Sequence, residues 1–400
     1  MSATLLYHMH GIRGYTFLRQ KTVPGGIEFY LAVPKAKLAC PCCGSDNVWQ
    51  KGTKWRRFHS LPLGRKKTTI VLEVPRVYCH ACNSIRQVHI TFAEEHKRYT
   101  RFFERHVLDL LFSTTCQDVA EHLALSWDTV RAIEKRSLQR HFAKPQLKDV
   151  TRIAIDEIAI KKGHKYLTIV MDLHTGRVIF TGDGKGADAL LPFWKRLRRS
   201  RAKINAVCSD MSPAYTSAIR NHLPDAIHVF DRFHVMKLFN EKLTGLRRRL
   251  YDETKDQDAR EALKGIRFDL LKRNPGEKEA KRLEKALALH ADLAVAHALK
   301  EQLYELWEQD DEESGFACLV EWIADAEWSE MPEMQAFAKT LRNHYQEILS
   351  YYYCEITSGP LEGLNNKIKT LKRQSYGFRD QEYFKLKILA LHRARYALVG

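Results

Sequence analysis

The sequence predicts a multidomain protein of mixed α/β class, and three features carry that reading. Two Cys-x-x-Cys pairs, at 40–43 and 79–82, bracket a series of strand-like segments. Between residues 152 and 230 the pattern passes from strands into alternating helix and strand. From about 235 to 355 it is almost wholly helical and heavily charged. A chain of 400 residues is too long for one small domain, and its 44% hydrophobic content is ample for real cores. The net charge of +17 points to a polyanionic partner. No apolar run approaches a membrane span, and MSATLLYHMHGIRGY lacks the charged-then-apolar layout of a secretion signal. A soluble, cytoplasmic protein with no membrane partner is expected.

Residues 1–92 read as a β-rich module. YTFLRQKTV and GIEFYLAVP flank Pro24-Gly25-Gly26, a hairpin turn signal. Five of the nine cysteines lie between 40 and 82, which in a cytosolic chain favours metal over disulfides. Cys40, Cys43, Cys79 and Cys82 would complete a tetrahedral, structural Zn²⁺ site. Cys42 makes the first knuckle ambiguous, with His59 and His80 as substitutes. The stretch KGTKWRRFHSLPLGRKK interleaves aromatics with cations and would suit phosphate contacts through Arg56, Arg57, Lys66 and Lys67.

Residues 100–148 have helical periodicity, and CQDVAEHLALSWDTVRAIEKR has the layout of a helix-turn-helix. Val119, Ala120, Leu123, Val130 and Ile133 would be buried, with Leu125-Ser126 as the turn. Trp127, Asp128, Thr129 and Arg131 would then stand near the start of the second helix, where base edges are read. An ordinary helical hairpin has the same pattern; the charge and the neighbouring cysteine module favour the DNA-binding reading.

Residues 151–234 form the first part of an α/β core. RIAIDEIAI places Asp156 inside an apolar strand, where a carboxylate is costly unless paired or metal-bound. Its neighbour Glu157 points to the opposite face, so only one of the two can share a site with Asp210, and Asp156 is the better candidate. Asp210 follows the apolar run Ile204–Cys208 and precedes Ser212-Pro213, which start a helix unaided. Asp210 therefore sits at the C-terminal tip of a strand, where open α/β sheets place ligand sites. Residues 235–355 look like a helical insertion, and 356–400 return to the core. There Glu362 lies in the first turn of a helix opening at Ser358-Gly359-Pro360, a place that the helix dipole alone would favour for an acid. Asn365 and Asn366 continue a polar face, and Lys367, Lys369, Lys372 and Arg373 make the helix basic.

Three acids drawn within about 4 Å would repel by about 4 kcal/mol per ionised pair at an effective dielectric near 20. Such a cluster needs cations, and hard oxygen ligands select Mg²⁺ or Mn²⁺. A pair of these ions serves in-line phosphodiester displacement.

The order of zinc knuckles, helix-turn-helix, Asp156, Asp210, helical insertion and Glu362 resembles the DDE transposases of bacterial insertion sequences, of the ISL-three type. AIDEIAIKKGHKYLTIVMDLHTGRVI, CSDMSPAY, FDRFHVMK and TSGPLEGLNNKIKTLKRQSYGFRD carry the resemblance. It implies a ribonuclease-H-like catalytic core with Asp156 on its first strand, Asp210 after its fourth and Glu362 on a late helix. Asp231 and His234, in DRFHV, would lie near the site as a brace or a phosphate contact. Lys369, Lys372 and Arg373 would meet transposon-end DNA. The implied partners are double-stranded DNA, as terminal inverted repeats and target, and further copies of the chain, as a dimer or larger. The implied activity is strand hydrolysis followed by attack of the freed 3′ hydroxyl, with two Mg²⁺ or Mn²⁺ ions. A DNA-binding regulator whose α/β domain has lost activity is the alternative.

Overall fold

The computed structural model describes residues 3–161, 165–354 and 359–392. Two compact units divide the chain, one built from residues 1–140 and the other from 141–394.

The first unit opens with α1 (Ala3–His10), a helix the sequence did not announce. β1 (Thr16–Val23) and β2 (Gly26–Ala32) form the expected hairpin, and Gly25 takes φ 71° in its turn. β3 (Val48–Leu63) and β4 (Lys66–Cys79) make a longer hairpin that closes at Gly64, and β5 (Ser84–Gln87) pairs with β4. The strand order is β1-β2-β4-β3, with β2 and β4 parallel. Alternate residues such as Phe29, Leu31, Ile70, Leu72 and Val74 turn inward onto Leu6, Ile12, Phe58 and Phe92.

Three helices follow: α2 (Arg101–Leu110), α3 (Cys116–Leu123) and α4 (Trp127–Phe142). Thr100 caps α2, and Thr115 with Asp118 forms a capping box on α3. Ala124 ends α3 in the left-handed region at φ 49°. Phe103, Val107, Val119, Ala120, Val130 and Ile133 form their common core.

In the second unit, β6 (Arg152–Lys161), β7 (Lys165–Asp172) and β8 (Val178–Asp183) make an antiparallel meander. α5 (Ala187–Ser200) leads to β9 (Ala206–Ser209), and α6 (Pro213–His222) leads to β10 (Ile227–Phe230). β9 runs parallel to β6, and β10 parallel to β9, giving the order β10-β9-β6-β7-β8. This is the ribonuclease-H-like arrangement expected. Leu147 and Val150 pack with α5 and α6 on one face of the sheet, so the segment after α4 belongs to this unit.

The described elements from residue 232 to 354 are all helices: α7 (Arg232–Glu253), α8 (Gln257–Ala262), α9 (Arg267–Leu271), α10 (Glu277–Leu289), α11 (Ala291–Glu305), α12 (Glu312–Trp328), α13 (Pro332–Asn343), α14 (Tyr345–Leu349) and α15 (Tyr351–Cys354). α7 begins directly after β10, three residues earlier than the expected start of the helical block. Phe239, Trp322 and Phe337 stack edge-to-face at the centre of this block. α16 (Gly359–Gln374) and α17 (Gln381–Leu389) then cover the other face of the sheet with Leu361, Leu364, Ile368, Phe384 and Ile388. Gly359 is the first described residue of α16; Ser358, expected to open it, lies outside the described residues.

Candidate functional site

Strand order brings three aspartates to one end of the sheet. Ala154 of β6 pairs with Cys208 of β9, and Phe230 of β10 pairs with Ser209. The pairings end there: Asp156 lies two residues beyond Ala154, and Asp210 and Asp231 directly follow the last residues of β9 and β10. Alternation settles the face. Ala154, Ala206, Cys208 and Val229 pack beneath α16 and α17, and the three aspartates continue those rows. The C-terminal edge of the parallel strands therefore carries a line of acids, at the place where such sheets bind ligands.

Each carboxylate has identifiable partners. Asp156 is 6% exposed; its Oδ1 accepts the Glu157 backbone N–H at 2.7 Å, and its Oδ2 accepts the Asn365 amide N–H at 2.7 Å. Asp231 caps α7 through the Phe233 backbone N–H and holds the His234 Nδ1 at 2.8 Å. The His234 Nε2 lies 4.0 Å from Asp156 Oδ1. Asp210 accepts the backbone N–H of Ser212 at 3.0 Å, whereas the Ser212 side chain makes no capping bond. Asp210 thus does take part in starting α6, contrary to the expectation that the helix starts unaided.

Burial, reinforced by the charges of Glu157 and Asp156, raises the Asp210 carboxyl above the ordinary carboxylate range. For His234, burial opposes protonation, but the bond to Asp231 and the charges of Asp231, Asp156 and Asp210 together lift its pKa. Glu157 turns to the opposite face as expected, where Tyr215 of α6 donates to it at 2.8 Å. Its charge nevertheless reaches Asp210.

Glu362 is exposed on α16 and, with Arg232 and Phe233 of α7, lines a cavity of about 800 Å³. Asn365 follows it by one helical turn and is the residue that reaches Asp156. The three predicted acids do not form a tight cluster: among the described residues, only Cys40, Cys43, Cys79 and Cys82 bring three or more metal-ligating atoms within 4.8 Å of one another.

That cysteine group fits a tetrahedral metal. Zn–S bonds of about 2.3 Å imply S···S edges of about 3.8 Å. The Cys40–Cys82 and Cys43–Cys79 sulfurs are 3.9 and 3.6 Å apart, far beyond disulfide length. Cys42 stands outside the group and is exposed; only its backbone N–H turns in, donating to Cys40 Sγ at 3.4 Å. His59 packs on Phe103 and His80 on Trp49, so neither substitutes as a ligand. Backbone N–H groups of Cys43 and Cys42 lower the Cys40 thiol to about 6, which favours the thiolate a metal needs.

In the helix-turn-helix, Ser126 caps α4 through the Thr129 N–H at 3.2 Å. Trp127 is exposed and Arg131 stacks over it at 5.3 Å, while the Thr129 hydroxyl is 2.8 Å from that of Ser126. Lys66, Lys67, Lys369 and Arg373 are exposed. Three other predicted cations have partners within the chain. Arg57 pairs with Glu28, Arg56 donates to the Lys97 carbonyl, and Lys372 lies 3.4 Å from the Ala159 carbonyl.

Comparison with known proteins bears on this arrangement. Residues 153–388 match a transposase family of the ISL3 type, residues 88–138 match the helix-turn-helix domain of transposase family ISL3, and residues 37–82 match the zinc-finger of transposases IS204/IS1001/IS1096/IS1165. The chain belongs to the ISL3 family of DDE transposases. It is 31% identical to the transposase for insertion sequence element IS1001 of Bordetella parapertussis, over 91% of both chains. It is 28% identical to the transposase for IS1557 of Mycobacterium tuberculosis, over 90% of this chain and 87% of that one. The Drosophila P element transposase strand transfer complex aligns over 72% of this chain at 10% identity and a TM-score of 0.39, too low to inform the fold.

This transposase therefore carries a four-cysteine zinc ribbon and a DNA-binding helix-turn-helix ahead of an α/β core. Among its described residues, no helix is long and apolar enough to cross a membrane. Asn365 was not foreseen as the partner of Asp156, although it sits one turn after Glu362; Glu157 was the alternative to Asp156 beside Asp210, and its charge does reach Asp210.

Proposed function

We propose that this transposase cuts and joins DNA at the carboxylates Asp156, Asp210 and Glu362. The observation that carries the reading is that His234 stands between Asp231 and Asp156, at 2.8 and 4.0 Å, within reach of the Asp210 charge, with Asp156 tied by Asn365 to the helix bearing Glu362. Divalent ions fit this donor set. The oxygens are hard ligands, and burial together with neighbouring charge disfavours ionised Asp210 unless a cation compensates. The Asn365 Oδ1 is buried without a hydrogen-bond partner among the described residues. Such a donor set would hold two Mg²⁺ or Mn²⁺ ions. Bound there, such ions would activate the attacking water or 3′ hydroxyl and stabilise the leaving oxygen.

The chain's own groups position that chemistry. Asn365 and the Glu157 N–H fix both oxygens of Asp156. Asp231 orients His234, whose Nε2 faces Asp156 as a brace or a contact for a backbone phosphate. The zinc ribbon and helix-turn-helix would bind the terminal inverted repeats, using Trp127 with Arg131 and the exposed Lys66 and Lys67. Lys369 and Arg373 would meet the DNA beside the acids. Residues 1–92 and 100–140 are assigned to end recognition, 141–231 and 356–400 to the core, and 232–355 to the insertion. Pairing of two ends requires at least a dimer.

The test is Mg²⁺-dependent cutting of an end-bearing duplex by the wild type and by Asp210→Ala. The variant is expected to bind the end and leave it intact; equal cutting by both would remove Asp210 from the mechanism.

A further inference from the structure

The far end of α16 is built at a cost that nothing inside the chain explains. The helix is about 24 Å long, and Gly363, Asn366, Lys367, Lys369 and Arg373 share its exposed side with Glu362, its one acid. Beyond the helix Arg379 is exposed as well, and Lys369, Arg373 and Arg379 form no ion pair among the described residues. The Tyr376 N–H donates to the Arg373 carbonyl at 3.1 Å and the Gly377 N–H to the Lys372 carbonyl at 3.0 Å. These are the two bonds of a Schellman motif, whose first residue past the helix cap is left-handed and usually glycine. Here the glycine comes one residue late, and Tyr376 itself takes φ 49°. A side chain strains that conformation. No internal packing compensates: the Tyr376 side chain is fully exposed, whereas Phe378, two residues on, stacks on Phe384. Strain of this kind persists where function uses it. An aromatic ring held out in water among unpaired cations fits a partner that is both anionic and partly apolar. The deoxyribose-phosphate backbone of DNA is both.

We propose that the backbone of duplex DNA runs along α16 away from Glu362, with the Tyr376 ring packed on its sugars and Arg373 and Arg379 on the flanking phosphates. A backbone contact of this kind fixes position and carries no sequence information. The inference deepens the reading of α16 as a DNA-facing helix and rests on it.

The test measures the affinity of the full-length, zinc-loaded protein in Ca²⁺, across a range of salt, for an end-bearing duplex and a scrambled duplex of the same length. Tyr376→Ala and Tyr376→Gly should each weaken both probes by about fivefold, the effect of half-burying an aromatic ring. Tyr376→Phe should bind as the wild type does. A neutral ring releases no counterions, so the tyrosine variants should keep the wild-type slope of log affinity against log salt, whereas Arg373→Gln should lower it by about one. Tyr376→Gly relieves the backbone and should unfold at the wild-type temperature or above, which separates lost contact from lost folding. A benzophenone photocrosslinker placed at position 376 should join the chain to DNA. Unchanged affinity in the Ala and Gly variants, a loss confined to one probe, a changed salt slope in those variants, a lower unfolding temperature for Tyr376→Gly, or crosslinks to protein alone would each overturn the proposal. The Asp210→Ala cutting assay is independent: its failure would sink the assignment of the acids and leave these affinities as measured.

Discussion

Asn365→Ala is expected to slow strand cleavage by about 10- to 150-fold without loosening end binding. The Asn365 amide donates to Asp156 Oδ2 at 2.7 Å, and Asp156 is 6% exposed. A hydrogen bond to a charged group contributes about 1.5–3 kcal/mol, and each 1.36 kcal/mol on a barrier is tenfold in rate. With the donor gone, Asp156 keeps only the Glu157 N–H on its other oxygen and is free to turn away from Asp210. Asn365→Asp should fall further, since it sets a second carboxylate against Asp156; two charges at about 4 Å repel by about 4 kcal/mol at an effective dielectric near 20. That extra loss should shrink as Mg²⁺ is raised, because bound cations offset the added charge. The assay is single-turnover cleavage of a labelled element end across a Mg²⁺ titration, with end binding measured separately in Ca²⁺. A wild-type rate for Asn365→Ala, a rate loss matched by weakened binding, or identical Mg²⁺ curves for the two variants would refute the positioning role.

Two further outcomes follow from the first unit. Metal removal or Cys79→Ser should unpair the cysteine ends of β3 and β4 and abolish end binding, because structural zinc contributes about 10–16 kcal/mol against a domain stability of about 5–15. Hydrogen exchange confined to this unit and one zinc per chain by mass spectrometry would check it, and a chelated protein with unchanged protection and binding would contradict it. His10 is 1% exposed, and burial lowers its pKa to about 4. The unfolded chain then binds the extra proton between about pH 4 and 6.5, so stability rises with pH across that window by up to about 3 kcal/mol and is flat above it. Denaturant midpoints at the two ends of the window should converge in His10→Gln relative to the wild type; an equal slope in both proteins would assign the acid sensitivity elsewhere.

Much of the site was legible because its signals are local. A Cys-x-x-Cys knuckle turns both sulfurs by backbone geometry alone, so four ligands were readable from spacing, although the exclusion of Cys42 required coordinates. An acid inside RIAIDEIAI or straight after a buried strand is expensive wherever the strand lies, which singled out Asp156 and Asp210. Strand alternation likewise sent Glu157 to the Tyr215 side. The cations were less legible. Charge density marked Arg56, Arg57 and Lys372 as DNA contacts, yet a Lys97 carbonyl, the Glu28 carboxylate and the Ala159 carbonyl engage them. Sequence reports that a charge exists and not what stands across from it.

By itself, the sequence determined the order of modules, the zinc ligands, the helix-turn-helix and the strands that carry the acids. These follow from short-range rules: knuckle spacing, caps and the periods of helix and strand. Only the tertiary structure decided that Asp156, Asp210 and Asp231 gather around His234, that Asn365 reaches Asp156 across 209 residues of chain, and that α7 lines a cationic cavity beside Glu362. Those facts depend on parallel register and on which helix face meets the sheet. Both are set by the simultaneous packing of distant segments, which no local stretch of residues encodes.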